Sequence, residues 1–235
     1  MARAGCGSAD GIGRAAPLRL AHRGDHRRVH ENTLAAFGAA LGVPGCDGLE
    51  FDVRVSADGI PVVLHDDTLQ RVQGRPDRVH DVRADALEAL GVPTLEAVMT
   101  QVPGWAFLDV ELKEDVAPAV VDALRVARGP DFIGVAVSSF DTNVLAHAAT
   151  AAPPLPRWLN ADRLGRETIE LAVALRCRAI SISWSAIDRR GVDAARAAGL
   201  DVAAWTVRRR PTFDRLARLG VVAVCVEGRA LDSRD

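Results

Sequence analysis

The chain has 235 residues, of which 49% are hydrophobic, and a formal net charge of −2; this suits one domain with a large core. So slight a charge offers no basic field to nucleic acid or an anionic membrane surface, and no apolar run approaches the roughly 18 residues of a membrane span. Small molecules are therefore the expected partners, and Cys6, Cys46, Cys177 and Cys225, which lack C-x-x-C or zinc-ligand spacing, are expected as free thiols.

Residues 1–17 are rich in Gly, Ala and Ser without the apolar core of a signal peptide, and are expected to be a loose N-terminal tail of a cytoplasmic protein. From there, residues 18–235 are expected to form one domain, because apolar runs alternate with Ala/Leu-rich stretches of helical spacing. Strands are expected at 18–23, 48–55, 61–65, 105–112, 133–139, 155–159, 179–184, 201–207 and 222–227. Helices are expected at 32–41, 94–102, 116–128, 141–149, 165–175, 189–198 and 211–219, with start signals such as Thr33, Thr94 and Asp141 and stop signals at Gly199 and Gly220. Residues 67–93 are expected to form a short loop and helix over the mouth of the site, leaving it open to varied head groups.

Nine strands are one too many for an eight-stranded barrel. Asp58-Gly59 marks a tight turn, and 53–61 is too short for a parallel crossover. The sequence therefore predicts an α/β fold, a TIM-type (β/α)8 barrel with a β-hairpin insertion after the second strand. A turn centred near 58–59 makes paired positions sum to about 117, which sets His65 opposite Asp52.

Chemistry gathers at strand ends: His22-Arg23-Gly24, Glu50-Phe51-Asp52, His65-Asp66 and Glu111-Leu112-Lys113. Glu50 and Asp52 share one strand face. Three carboxylates brought together would raise one another's pKa unless a cation sits among them, and an all-oxygen set suits Mg²⁺ or Ca²⁺ rather than zinc. With one divalent ion and the charges of Arg23 and Lys113, the patch would carry about +1, which a phosphodiester neutralises. His22 and His65 can supply a general base and a general acid. Lys113 is the single lysine among 29 basic residues, which suggests a pocket that requires a compact ammonium.

These segments, with Ala21-His22-Arg23-Gly24, Glu31-Asn32-Thr33, Val63-Leu64-His65-Asp66, Ser139-Phe140 and Trp205-Thr206-Val207, resemble the glycerophosphodiester phosphodiesterases. The resemblance implies metal-dependent cleavage of glycerophosphodiesters to glycerol 3-phosphate and an alcohol, by attack of the substrate's glycerol 2-hydroxyl and opening of a cyclic phosphate by water. It implies His22 and His65 as the acid/base pair, Glu50, Asp52 and Glu111 as ligands of one Mg²⁺ or Ca²⁺, Arg23 and Lys113 as phosphate contacts, and Trp205 as a wall for the glycerol backbone. Departures from the family pattern are His30 in place of proline, in a basic loop with Arg27 and Arg28 that would widen the mouth, add phosphate contacts or simply be solvated, and Arg208 and Val226-Glu227 in place of Asn and Thr-Asp, which bear on leaving-group preference. Trp158 and Trp184 are candidates to line the pocket with Trp205. His26, His80 and His147 are expected at the surface, His26 near enough to the first motif to touch substrate. A lysophospholipase D or phospholipase D-like activity would need an apolar channel for an acyl chain, and a non-catalytic phosphate-binding protein would show a lost histidine or carboxylate; neither sign is present in the sequence.

Overall fold

The computed structural model describes residues 16–115 and 117–232; the expected tail at 1–17 lies almost wholly outside them. Eight runs rich in Val, Ile, Leu and Ala form parallel strands: β1 (Leu18–His22), β2 (Gly48–Val55), β4 (Phe107–Leu112), β5 (Val135–Ser139), β6 (Arg157–Ala161), β7 (Ala179–Ser183), β8 (Asp201–Val207) and β9 (Ala223–Val226). Each pairs with its neighbours and β1 closes on both β2 and β9, so the sheet is a barrel. A barrel strand is covered on both faces, which is why these segments read as near-continuous apolar runs.

The helices lie between the strands. They are α1 (Leu34–Leu41), α2 (Gln70–Gln73), α3 (Ala84–Ala89), α4 (Leu95–Gln101), α5 (Ala117–Arg128), α6 (Thr142–Ala151), α7 (Arg166–Ala174), α8 (Arg189–Ala197) and α9 (Arg210–Leu219). Their starts follow local chemistry: Thr33, Thr94, Asp141 and Asp188 each accept a backbone N–H of the first turn. Gly220, at φ 87°, ends α9 in the left-handed conformation. The short α2 and α3 had no helical boundaries in the sequence, because α2 buries none of its residues and so has no apolar stripe to read.

β3 (Pro61–Val63) pairs antiparallel with β2, as the turn dipeptide requires, but one residue out of the expected register. Val53 faces Val63 and Val55 faces Pro61, so pairs sum to 116. The reason is the turn: Ser56 and Ile60 still exchange backbone and hydroxyl hydrogen bonds, which centres the reversal on Asp58. Leu64, not His65, therefore lies opposite Asp52, its N–H donating to the Asp52 carbonyl at 3.0 Å. β6 begins two residues later than the 155–159 reading, because Pro156 cannot donate to the ladder.

Inside the barrel, Leu20, Ala136, Trp158, Ala179, Ala203 and Ala223 form the apolar floor. Trp158 stacks on Phe107 at 5.6 Å. This corrects the expectation that Trp158 lines the substrate pocket: it packs among residues near the strands' N-terminal ends, whereas chemistry on such a barrel sits at the C-terminal ends. Parallel register aligns Glu50 with Asp109, Asp52 with Glu111, and Glu111 with Ser138. With side chains alternating, one face of β2 and β4 carries four carboxylates above that floor.

The close approach of β2 to β4 leaves no room at Gly48, where a Cβ would stand 2.0 Å from the Phe107 carbonyl oxygen. Gly48→Ala is expected to cost about 3 kcal/mol of stability, read from urea unfolding. An unchanged midpoint would show that the two strands can separate without penalty.

Candidate active site

The β1–α1 connection is held in an unusual backbone. Arg23 and Asn32 take positive φ, 57° and 56°, a conformation that costs free energy for residues other than glycine. Two hydrogen bonds hold it, from Arg23 N–H to the Glu50 carbonyl (2.8 Å) and from Asn32 N–H to the Arg23 carbonyl (3.0 Å). Gly24 follows at φ 80°, and a Cβ there would meet Ala36 at 2.7–2.8 Å. The result aims the Arg23 and Asn32 side chains inward: Arg23 Nε lies 3.1 Å from Asp52 Oδ2, and Asn32 Nδ2 donates to the same oxygen at 2.9 Å.

Glu50, Asp52 and Glu111 place one oxygen each within 4.8 Å of one another. Lys113 bridges two of them, with Nζ 3.0 Å from Asp52 Oδ1 and 2.5 Å from Glu111 Oε1. Burial, then the charges of Asp52 and Glu111, drive the Glu50 carboxyl well above the usual carboxylate range. Glu111 is also raised, first by burial and then by Asp52, against the pull of Lys113. Asp52 goes the other way: burial alone would raise it, but Lys113, Arg23, His65 and the Asn32 amide hold it low. Asp109, one layer deeper, is pushed up to about 7 by burial and by Glu111 and Asp52.

Asp52 Oδ1 meets the Lys113 ammonium, but the buried Glu50 Oε2 accepts no hydrogen bond. Buried carboxylate oxygens are expensive to leave without one. An all-oxygen set with such an unsatisfied atom fits a hard divalent cation, which would also remove the repulsion that raises Glu50 and Glu111.

His22 and His65 are each held by a carboxylate at Nδ1. His22 Nδ1 lies 2.5 Å from Glu227 Oε1, leaving Nε2 directed at Glu50 Oε2, 3.8 Å away. His65 Nδ1 lies 2.7 Å from Asp66 Oδ1. Burial lowers the His65 pKa, against the opposing pull of Asp52 and Asp66. His65 is in the loop just beyond β3, so its place beside Asp52 comes from that loop and not from strand pairing.

Trp205, near the end of β8, is fixed by its Nε1–H to the Ser181 carbonyl (3.0 Å) and meets Phe140 edge-on at 5.6 Å. Trp184 is exposed in the turn after β7, near the Arg215 guanidinium. His80 and His147 are exposed and pair with Asp81 and Asp115. His26 is half-buried, 3.8 Å from Glu227. His30 and Arg28 line a groove of about 770 Å³ with Leu34, Glu88 and Ala97, which includes none of the three clustered carboxylates.

The sequence reading did not assign roles to Glu227, Glu31, Asp66 or Asp109. Glu227 is the acid immediately after the last strand, so its position was the available signal. The departures Arg208 and Glu227 prove to be one feature: Arg208 Nε donates to Glu227 Oε2 at 2.7 Å.

Residues 22–228 match the model of the glycerophosphoryl diester phosphodiesterase family. The chain belongs to this family. It is thus a phosphoric diester hydrolase whose family acts on glycerophosphodiesters. A glycerophosphodiester phosphodiesterase from Caldanaerobacter subterraneus is 28% identical over 228 residues, spanning 89% of this chain and 93% of that protein. The structure of an Oleispira antarctica phosphodiesterase in complex with its product sn-glycerol-3-phosphate superimposes with a TM-score of 0.81 at 28% identity, covering 90% and 93% of the two chains. The Thermotoga maritima glycerophosphodiester phosphodiesterase gives 0.78 at 26% identity, covering 91% and 96%. Among the described residues no helix is long and apolar enough to cross a membrane.

Burial alone would raise Glu227, but hydrogen bonds from His22 and Arg208, with the His26 imidazole 3.8 Å away, hold it well below the usual range. Its charge therefore stabilises the fold above about pH 4.3, the unfolded value, and this contribution fades as pH falls further. Glu227→Gln is expected to lower Tm at pH 7, with a deficit that shrinks by pH 3. A deficit that does not change with pH would mean the charge does not matter.

Proposed function

We propose that this phosphodiesterase cleaves glycerophosphodiesters to glycerol 3-phosphate and an alcohol, with Glu50, Asp52 and Glu111 holding one Mg²⁺ or Ca²⁺ and His22 and His65 exchanging protons. The observation that carries the reading is the pair of carboxylate-held histidines beside a three-carboxylate cluster in which Glu50 Oε2 is buried without a hydrogen bond. When bound, the cation supplies Lewis-acid stabilisation of charge on the phosphoryl oxygens.

The protein's own residues do the rest. Glu227 and Asp66 occupy Nδ1 of His22 and His65, which leaves Nε2 of each as the working atom and fixes the ring. One imidazole takes the proton of the glycerol 2-hydroxyl as its oxygen attacks phosphorus. The other gives a proton to the departing alcohol oxygen, and the roles reverse when water opens the cyclic phosphate. Arg23 and Lys113 present cations that balance the phosphate's negative charge. Trp205, held by Ser181 and Phe140, offers an apolar wall to the glycerol carbons.

The net charge of −2 supports a small phosphodiester rather than nucleic acid as substrate. Cys46, Cys177 and Cys225 are free and buried, which supports a reducing, cytoplasmic location. The family match across 22–228 supports reading 18–235 as one catalytic domain.

Purified protein, stripped of metal and then restored with Mg²⁺ or Ca²⁺, is expected to release glycerol 3-phosphate from glycerophosphocholine only after restoration. Release from the stripped protein would overturn the metal assignment, and no release from restored, folded protein would overturn the activity. Lys113→Arg is expected to lower kcat/KM by about tenfold or more despite conserving charge, because a planar fork cannot take the place of an ammonium bonded to both Asp52 and Glu111. Wild-type kinetics would show that only the charge is needed.

A further inference from the structure

Arg71 stands on α2, a four-residue helix with no buried residue. Its side chain is 47% exposed, yet two of its nitrogens meet carboxylates. Nε and Nη2 donate to Asp66 Oδ2 (2.7 Å) and Oδ1 (3.0 Å), and Nη2 also donates to Glu31 Oε1 (2.7 Å). Those acceptors are not spare. Asp66 Oδ1 is the atom that holds His65 Nδ1, and Glu31 Oε1 is the atom that receives Arg23 Nη1 at 2.8 Å.

One guanidinium thus connects two loops, reaching in one of them Glu31, 40 residues before it in the chain. One carries His65 after β3, and the other carries Arg23 between β1 and α1. Exposed ion pairs add little to stability, but a planar fork that meets a carboxylate with two donors fixes its orientation as well as its charge. A lysine in this place could hold one partner and would lose the other. We propose that Arg71 is a positioning residue that fixes the His65 imidazole and the Arg23 guanidinium relative to each other. The proposal rests on the roles given above to His65 and Arg23. Each would act through one carboxylate, Asp66 on proton transfer and Glu31 on phosphate binding.

The test compares wild type with Arg71→Ala, Arg71→Lys, Asp66→Asn and Glu31→Gln, using glycerophosphocholine and restored metal. It measures kcat and KM separately, the Tm, and the ¹⁵N shifts of the His65 ring. Arg71→Ala is expected to change Tm by no more than about 3 °C, to lower kcat between about 10- and 100-fold and to raise KM. Arg71→Lys is expected not to rescue it, whereas Asp66→Asn falls mainly on kcat and Glu31→Gln mainly on KM. The His65 ¹⁵N shifts are expected to move in Arg71→Ala even without substrate. The proposal is overturned if Arg71→Ala keeps kcat and KM within twofold of wild type, if lysine restores both, or if the His65 shifts stay in place. Should the wild type release no glycerol 3-phosphate while the His65 shifts still move with Arg71, the proposed function fails and the positioning contact stands.

Discussion

Four acidic side chains, Glu50, Asp52, Asp109 and Glu111, are held on one face of two neighbouring strands inside an apolar barrel. Like charges in a low-dielectric interior are costly, and much of the surrounding structure answers that cost. Arg23 and Lys113 are brought to Asp52, Asn32 is turned inward by a strained backbone, and Glu50 and Glu111 are left at raised pKa values with unsatisfied oxygen close by. The arrangement leaves a centre poised for a cation and, above it, for an anion.

Around that centre the same device recurs: a carboxylate fixes a nitrogen group. Glu227 holds His22, Asp66 holds His65 and Glu31 holds Arg23. These acids lie at the rim in three different connections, so the barrel supplies the positions while the loops supply the orientations. Arg208 ties Glu227 to the segment after β8, and Arg71 ties Asp66 and Glu31 to each other. The strain stored at Arg23 and Asn32 belongs to this set, since a relaxed loop would turn both side chains away from Asp52.

The barrel and the carboxylate cluster were legible because each depends on short-range patterns. Apolar runs of strand length, a turn dipeptide at Asp58-Gly59 and period-two spacing in Glu50-x-Asp52 are local statements, and parallel strands placed side by side keep them true. The hairpin register was not legible to one residue, since Ser56 and Ile60 extend the pairing into the turn by hydrogen bonds that composition does not announce. Trp158 misled for a related reason: a tryptophan near a strand end reads alike whether it faces the floor or the mouth, and only its contact with Phe107 decides.

By itself the sequence determined the alternation of strands and helices, the residue types gathered at the strand ends, and hence a metal-and-imidazole phosphodiesterase pattern. Tertiary structure alone decided which carboxylate meets which imidazole or guanidinium. Glu227 is 205 residues from His22 and Arg71 is 40 from Glu31, and such pairings are made by barrel closure and loop path. Chain spacing sets which side chains share a face within an element; which faces meet is set by packing the whole core at once.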